Sequence, residues 1–361
     1  MSTAFAEQTF DQQRAEAFSG RMLEMINDGF VTLMTSIGHQ TGLFDVLADL
    51  PASTSAEIAA AAKLDERYVR EWLGCMVVGK IVEYDRERKT YWLPAEHAAS
   101  VTRAAGPDNL AFLAQYVALL GSVEEGIVDC FRNGGGLPYS AYPRFQSLQA
   151  EETARIYDAA LVDRILPLVP GLIAKLERGI DVADVGTGCG HAINVAAAAF
   201  PKSNFTGYDF SHEGILAGRA EARERGLPNA RFEVRDAATL DVEGAYDLIT
   251  AFDAIHDQVK PREVLRRIAR ALKPGGVFLM ADIAAATELA ENVDNPIAPV
   301  MYAVSCMHCM TVSLSAGGEG LGAMWGREKA LELLAEAGFT DVTVTQIAGD
   351  IMNDYYIARR G

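Results

Sequence analysis

The sequence predicts an α/β fold in which a doubly wound, mainly parallel sheet follows a mostly helical N-terminal region. After Gly179, short apolar segments alternate with helical segments, as in a parallel sheet covered by helices. The first apolar segment runs into a glycine-rich turn at 186–190. The length of 361 residues, half of them hydrophobic, is enough for two domains with a buried core.

We predict three parts: a helical domain at 1–105, a helical connector at 106–172 and the α/β domain at 173–361. The first 37 residues are expected to form a helix in which apolar residues recur every three or four positions. These residues are Phe18, Met22, Met25, Ile26, Leu33, Met34 and Ile37. The apolar face either covers a core or packs against a second subunit, and we expect a homodimer.

The rest of the first domain has the pattern of three helices followed by a two-stranded hairpin. One helix is expected to begin at Ser55 and a second after Asp65. Serine and aspartate are residue types that cap the N-termini of helices. The predicted strands are 80–84 and 90–93, joined by a charged turn at 85–89. This order predicts a winged helix-turn-helix. The three glycines and two X-Pro steps of 133–143 then predict a loop with unusual backbone conformations.

Seven strands are expected in the α/β domain. They are Asp181–Val185, Asn204–Asp209, Arg231–Arg235, Tyr246–Ala251, Val277–Ala281, Val342–Gln346 and Tyr355–Ala358. Acidic residues, Asp209 and Asp236, lie at the ends of the second and third strands. The first can accept hydrogen bonds from the ribose hydroxyls of an adenosine, and the second from the adenine amino group. A dinucleotide motif would require glycine at position 191, where this chain has histidine, and no P-loop lysine follows the turn.

Residues 180–283 resemble the class I methyltransferases. The family's D-x-G-x-G-x-G motif matches Asp184, Gly186, Gly188 and Gly190, and its L-K-P-G-G turn matches 272–276. The resemblance implies a Rossmann-like, seven-stranded domain with an antiparallel last strand and with S-adenosylmethionine (SAM) as cofactor. It also implies that the glycine turn holds the methionine end of SAM, Asp209 the ribose and Asp236 the adenine. Phe210, Ala237 and Phe252, which lie beside these strand ends, are expected to contact the cofactor as well.

The whole chain is similar to plant-type small-molecule O-methyltransferases and, more closely, to bacterial methyltransferases with an N-terminal winged helix. In the plant-type enzymes a His-Asp pair after the fourth strand supplies the general base, and His256-Asp257 occupies that place. Gln258 stands where those enzymes have tryptophan. His256 is therefore a candidate base, and a capping or cofactor-lining histidine is the alternative.

A second group of chemically reactive residues lies at 301–310, in a segment that covers the substrate in the family. It is interpreted as a methionine-rich packing face, as a soft substrate wall or as a metal or metalloid site. A single C-x-x-C, Cys306 to Cys309, is incomplete for zinc, so no metal is expected. His308 is a second candidate for the base. The expected substrate contacts are Tyr139, Tyr142, Met301, Tyr302 and Trp325, with the glycine-rich 315–322 as a flexible lid.

These features favour an enzyme that methylates a hydroxyl or thiol of a small molecule. The alternatives are a DNA-binding regulator that senses SAM or another small ligand, and a SAM-binding scaffold without turnover. The net charge of −17 and the mixed charges of the predicted recognition helix, 65–72, disfavour nucleic acid. No signal peptide and no membrane span are recognised, and the five scattered cysteines are typical of a reducing cytoplasm.

Overall fold

The computed structural model describes residues 10–360, which form two compact units divided between Ala118 and Leu119. The predicted first helix starts in residues 1–9, which lie outside the described part. The elements of the first unit are α1 (Gln12–Thr41), α2 (Leu43–Asp49), α3 (Ser55–Ala62), α4 (Glu66–Val78), β1 (Glu83–Asp85), β2 (Thr90–Trp92), α5 (Ala95–Val101) and α6 (Leu110–Gly121), whose end extends into the second. The three-part division at 105 and 172 stays a prediction.

The first unit has the predicted winged-helix pattern around a small core. Asp65 caps α4 by accepting hydrogen bonds from the backbone N–H groups of Arg67 and Tyr68, as expected. The buried Trp72 packs its ring edge-on against Phe44 and donates its indole N–H to the carbonyl of Met34. The first wing strand is shorter than the predicted 80–84, because the N–H groups of 81 and 82 bond back to the carbonyl of Met76 and so continue the helix end.

The second unit alternates helices and strands. Its further elements are α7 (Glu124–Asn133), α8 (Phe145–Ala160), α9 (Leu172–Arg178), β3 (Asp181–Val185), α10 (His191–Ala199), β4 (Asn204–Asp209), α11 (His212–Glu224), β5 (Ala230–Val234), β6 (Tyr246–Phe252), α12 (Pro261–Ala271), β7 (Leu272–Ile283), α13 (Leu289–Asn292), α14 (Ala298–Val304), α15 (Met310–Ser315), α16 (Gly326–Glu336), β8 (Phe339–Thr345) and β9 (Asn353–Arg360). π-helical turns follow α8 at Leu161–Ile165 and separate α14 from α15 at Ser305–Cys309.

The seven strands β3 to β9 form one sheet in the order β5-β4-β3-β6-β7-β9-β8. Neighbouring strands are parallel except for β9, which is antiparallel to both β7 and β8, as the resemblance implies. The predicted turn at 273–276 is instead a bulge inside β7. The pairing shifts there from Tyr246 with Leu272 to Leu248 with Val277, so the strand begins five residues before the predicted Val277.

Apolar side chains cover both faces of this sheet. One core joins Ile249 and Phe278 to residues of α12 and α16 such as Leu265 and Leu333, and a second joins strand residues to α9, α10 and α11. Each fully buried leucine contributes about 1.5–3 kcal/mol relative to an exposed one. The strand order reverses between β3 and β6, and ligands of such sheets bind beyond the carboxyl ends of the strands at this point.

Within residues 10–360, no single helix has the length and apolar composition needed to cross a bilayer. Only α6 and α7 taken together satisfy that test, and they do so by length and composition alone.

Candidate active site

The glycine turn after β3 forms the first wall of the site. Gly186, Gly188 and Gly190 all have the left-handed backbone that glycine adopts without strain, with φ of 76°, 54° and 72°. A Cβ on Gly190 would lie 2.2 Å from the ring of Phe232, so this glycine is required by packing. A Cβ on Gly188 would have no atom within 4 Å. The middle of the turn therefore borders open space.

Carboxylates at the strand ends adjoin this turn. Asp209 is buried at the end of β4 and accepts hydrogen bonds from the backbone N–H groups of Ser211 (2.7 Å) and Gly188 (2.8 Å). Burial raises the pKa of its carboxyl. Asp184 accepts a hydrogen bond from the Thr250 hydroxyl at 2.6 Å, and burial raises its pKa to about 6.

The predicted adenine-side residues lie at the end of the next strand. Asp236 is exposed and accepts a hydrogen bond from the N–H of Ala238, so its carboxylate shapes the turn that follows β5. Ala237 is buried beside it. Phe252, at the end of β6, packs its ring 5.2 Å from that of Tyr157 on α8.

A buried chain of polar groups runs through His256. Its Nδ1 lies 2.8 Å from Oδ1 of Asp282, and its Nε2 lies 3.1 Å from Oδ1 of Asp257. Burial by itself lowers the pKa of His256, but the two carboxylates outweigh it and raise that pKa well above its ordinary value. Burial opposes ionisation of Asp257 too, yet His256 lowers its pKa to about 2.

Asp282, at the end of β7, is the acidic partner of His256 that sequence reasoning missed. It is fully buried and also accepts the N–H groups of Ile283 and the Trp325 indole, both at 2.9 Å. Trp325, predicted to close over a substrate, packs in the core of the domain and donates its indole N–H to Asp282, so its contact with a substrate stays a prediction. The only sequence signal for Asp282 is an acid at the end of a buried apolar strand.

His308 lies in an aromatic cage formed by Tyr139, Tyr142 and Phe145. Its ring is stacked on Phe145 with centroids 4.1 Å apart, and the two tyrosine rings meet it edge-on at 5.3 and 4.7 Å. Among the described residues, nothing forms a hydrogen bond with its buried Nε2. Burial lowers the pKa of His308 to about 4. Phe145 is a further site residue that the sequence did not indicate, because it opens α8 immediately after a loop.

Tyr139 joins the two halves of the site. Its hydroxyl donates to Oδ2 of Asp257 at 2.8 Å, and its ring lies 5.3 Å from Phe210, the neighbour of Asp209. Burial and the charge of Asp257 raise the pKa of Tyr139 well above its ordinary value, so the phenol remains a donor. One side chain thus contacts both the cofactor-side strand end and the histidine cluster.

Comparison with known families agrees with this geometry. Residues 29–103 match the Rv2258c-like winged HTH domain, and residues 176–338 match a methyltransferase domain. Residues 176–338 are therefore a methyltransferase domain, and the cofactor is SAM.

Solved methyltransferase structures share the fold over nearly the whole chain. Mitomycin 7-O-methyltransferase superposes with a TM-score of 0.70 at 16% identity, covering 97% of this chain and 100% of that one. Human N-acetylserotonin methyltransferase in complex with SAM superposes with a TM-score of 0.66 at 18% identity, covering 99% and 100%. At these identities the likeness concerns the fold.

Curated relatives match part of the chain. Trans-aconitate 2-methyltransferase of Methylobacterium nodulans is 33% identical over 124 residues, which are 34% of this chain and 43% of that protein. Arsenite methyltransferase of Aquipseudomonas alcaligenes is 28% identical over 170 residues, 45% and 46% of the two chains. The chain spans less than half the length of each of these relatives.

The residues of the methyltransferase domain fit SAM. Open space beside Gly188 gives room for the amino-acid end of the cofactor, and the buried Asp209 carboxylate next to it suits ribose hydroxyls. Both groups lie at the carboxyl ends of β3 and β4. The assignments of the glycine turn, Asp209, Phe210, Asp236, Ala237 and Phe252 to the cofactor stay predictions.

Two other predicted substrate contacts, Met301 and Tyr302, are not part of the cage. Met301 packs in a small core that also contains Cys309, and the hydroxyl of the partly exposed Tyr302 accepts a hydrogen bond from Asn292. The 315–322 segment, expected to be a flexible lid, is tied down by backbone hydrogen bonds. Glu319 donates to the carbonyl of Val259 and Gly322 to that of His256. The loop thus braces the segment that carries His256.

Proposed function

We propose that this protein transfers the methyl group of SAM to a hydroxyl or thiol of a small molecule. The bridging position of Tyr139 carries the proposal, because its ring contacts both Phe210, beside Asp209, and the buried His308, whose Nε2 has no hydrogen-bond partner among residues 10–360. The names of two structural neighbours, mitomycin 7-O-methyltransferase and N-acetylserotonin methyltransferase, refer to small-molecule acceptors.

Within this proposal, His308 contacts the acceptor. A buried nitrogen without a partner costs about 1–3 kcal/mol, and a hydroxyl or thiol bound in the cage would satisfy it. The acceptor heteroatom then bonds to the methyl carbon while the sulfonium sulfur keeps the electron pair of the broken bond. Positioning supplies much of the acceleration, because SAM is already activated. The acceptor proton passes to a base of the site, for which His308 is the candidate because its lowered pKa keeps the ring neutral. His256 is a poor acceptor of a further proton, since carboxylates lie at both of its ring nitrogens and raise its pKa.

The test is methyl transfer from labelled SAM to a panel of phenols, alcohols and thiols, with products identified by mass. Wild-type protein should yield a methylated small molecule and S-adenosylhomocysteine (SAH). His308→Gln should lower kcat/KM by about 10²-fold or more, while its affinity for SAH, measured as the control, stays within twofold. Labelling of protein or tRNA with no small molecule methylated would refute the proposal. SAH binding with no transfer to any acceptor would support the scaffold alternative.

We also propose a homodimer formed through α1. Large apolar side chains are exposed along this helix, and water contact with such a face is unfavourable. They are Phe18, Met22, Leu23, Met25, Ile26, Phe30, Leu33 and Ile37.

A cytoplasmic location is proposed because all five cysteines are free thiols.

The DNA-binding alternative gains no support from α4. Its arginines are paired with acids of the same helix, Arg67 with Glu71 and Arg70 with Glu66. These pairs offset the positive charge that a recognition helix presents to phosphates.

A further inference from the structure

We propose that His256, Asp257 and Cys309 form a site for one divalent transition-metal ion of the zinc class. One ligand atom of each residue, a ring nitrogen, a carboxylate oxygen and the thiol sulfur, lies within 4.8 Å of the other two. Imidazole, carboxylate and thiolate are the ligands that zinc takes in proteins. His256 and Cys309 are buried, and Asp257 is largely so.

The surroundings of His256 match those of a metal-bound histidine. Such a histidine donates its second ring N–H to a carboxylate, which fixes the tautomer and the ring orientation. Here Nδ1 faces Asp282, so Nε2 is the nitrogen that remains for a ligand bond. Asp282 is itself held by Trp325 and by the N–H of Ile283. The carboxylate and its supports thus leave the imidazole little freedom to rotate.

An unpartnered atom marks the centre of the site. Oδ1 of Asp257 is buried and, among residues 10–360, has no hydrogen-bond partner. It lies only 3.1 Å from Nε2 of His256, yet no hydrogen bond of acceptable geometry joins the two atoms. Nitrogen and oxygen ligands of a tetrahedral zinc ion, each about 2.0–2.2 Å from the metal, lie about 3.3 Å apart. A shared ion accounts for both the short separation and the missing hydrogen bond.

The π-helical turn at Ser305–Cys309 helps to explain why the sequence did not indicate this site. Met310 donates its N–H to the carbonyl of Ser305, five residues back, so the helix does not follow the ordinary 3.6-residue period there. The C-x-x-C pair is not the ligand set, because Cys306 is not part of the cluster. Three protein ligands leave a fourth position open, as in catalytic rather than structural zinc sites.

The experiment titrates metal-free, full-length protein with Co²⁺ and follows the thiolate-to-cobalt charge-transfer absorption, with Zn²⁺ added afterwards to displace the cobalt. Wild-type protein should bind one equivalent of Co²⁺ with this absorption, and Zn²⁺ should abolish it. Cys309→Ser should remove the band. Cys306→Ser, the matched control three residues away, should leave both band and affinity unchanged. Asp282→Asn, which removes the carboxylate charge beside His256 without replacing a ligand of the ion, should weaken binding by about 10–100-fold.

Folding of each variant is checked by circular dichroism and by SAH binding. If Cys309→Ser does not fold, Asp257→Asn is the test of the metal site instead. This variant keeps the thiolate, and it should weaken Co²⁺ binding at least tenfold. Absence of a cobalt band in wild-type protein would overturn the proposal, as would a band retained in Cys309→Ser or lost in Cys306→Ser. No outcome depends on methyl transfer, so failure of this site and failure of the proposed function are distinguishable.

Discussion

Two alanine substitutions in the glycine turn separate its binding role from its packing role. Both Gly188 and Gly190 have a left-handed backbone, so alanine costs about 1–2 kcal/mol at either position. At Gly190 the new Cβ would also overlap the Phe232 ring at 2.2 Å, and overpacking adds about 1–3 kcal/mol. At Gly188 the Cβ enters open space, where we place the amino-acid end of SAM.

Gly190→Ala should therefore lower the free energy of unfolding by about 2–5 kcal/mol, and Gly188→Ala by only about 1–2 kcal/mol. Their binding defects should be in the opposite order: Gly188→Ala should lose at least tenfold in SAH affinity, about 1.4 kcal/mol. Urea unfolding measures the first quantity, and calorimetry on the folded protein the second. SAH affinity within twofold of wild type for Gly188→Ala would refute the assignment of this space to the cofactor.

The remaining predictions concern four other places in the chain. Asp209→Asn should weaken SAH binding by about 1–3 kcal/mol in calorimetry, and an affinity within twofold of wild type would contradict the ribose assignment. His191, whose pKa is raised chiefly by its hydrogen bond with Glu221, should stabilise the protein fully below about pH 6.5 and progressively less as pH rises through its raised folded-state pKa. The difference in melting temperature between wild type and His191→Asn should therefore shrink with rising pH, and a constant difference would refute this. The double variant Phe18→Glu, Phe30→Glu should be monomeric in light scattering where wild type is dimeric; a monomeric wild type would contradict the proposed dimer. His308→Ala should cause a large loss of rate with a hydroxyl acceptor, but only a mild one with a thiol, whose rate should then follow the thiolate fraction as pH rises.

Local sequence patterns predicted the elements that local interactions determine. The bounds of β3 and β4 agree with expectation to the residue, because each strand ends at, or next to, a residue of the predicted cofactor motif. The cap at Asp65 and the glycine turn are likewise set within a few residues of chain.

The histidine cluster depends on pairs far apart in the chain. Asp282 follows His256 by 26 residues and reaches it because β6 and β7 are parallel neighbours, and Trp325 follows Asp282 by 43. Phe145 stacks on His308 from a different helix. A single sequence contains no periodicity that reports such pairs. The composition of the glycine-rich segment 315–322 predicted a flexible lid. Its backbone hydrogen bonds to the chain after β6 join residues far apart in the sequence, so the composition could not indicate them.

The triple-glycine loop ahead of Tyr139 shows how a backbone requirement becomes a functional one. A Cβ on Gly136 would lie 2.0 Å from the carbonyl oxygen of Thr311, so only glycine allows the loop to lie against α15. The next residue, Leu137, donates its N–H to the Thr311 hydroxyl at 2.9 Å, which fixes the loop there. Two residues later Tyr139 reaches Asp257, Phe210 and His308 together. The position of Tyr139, which joins the cofactor edge to the histidine cluster, thus depends on the close packing that Gly136 allows.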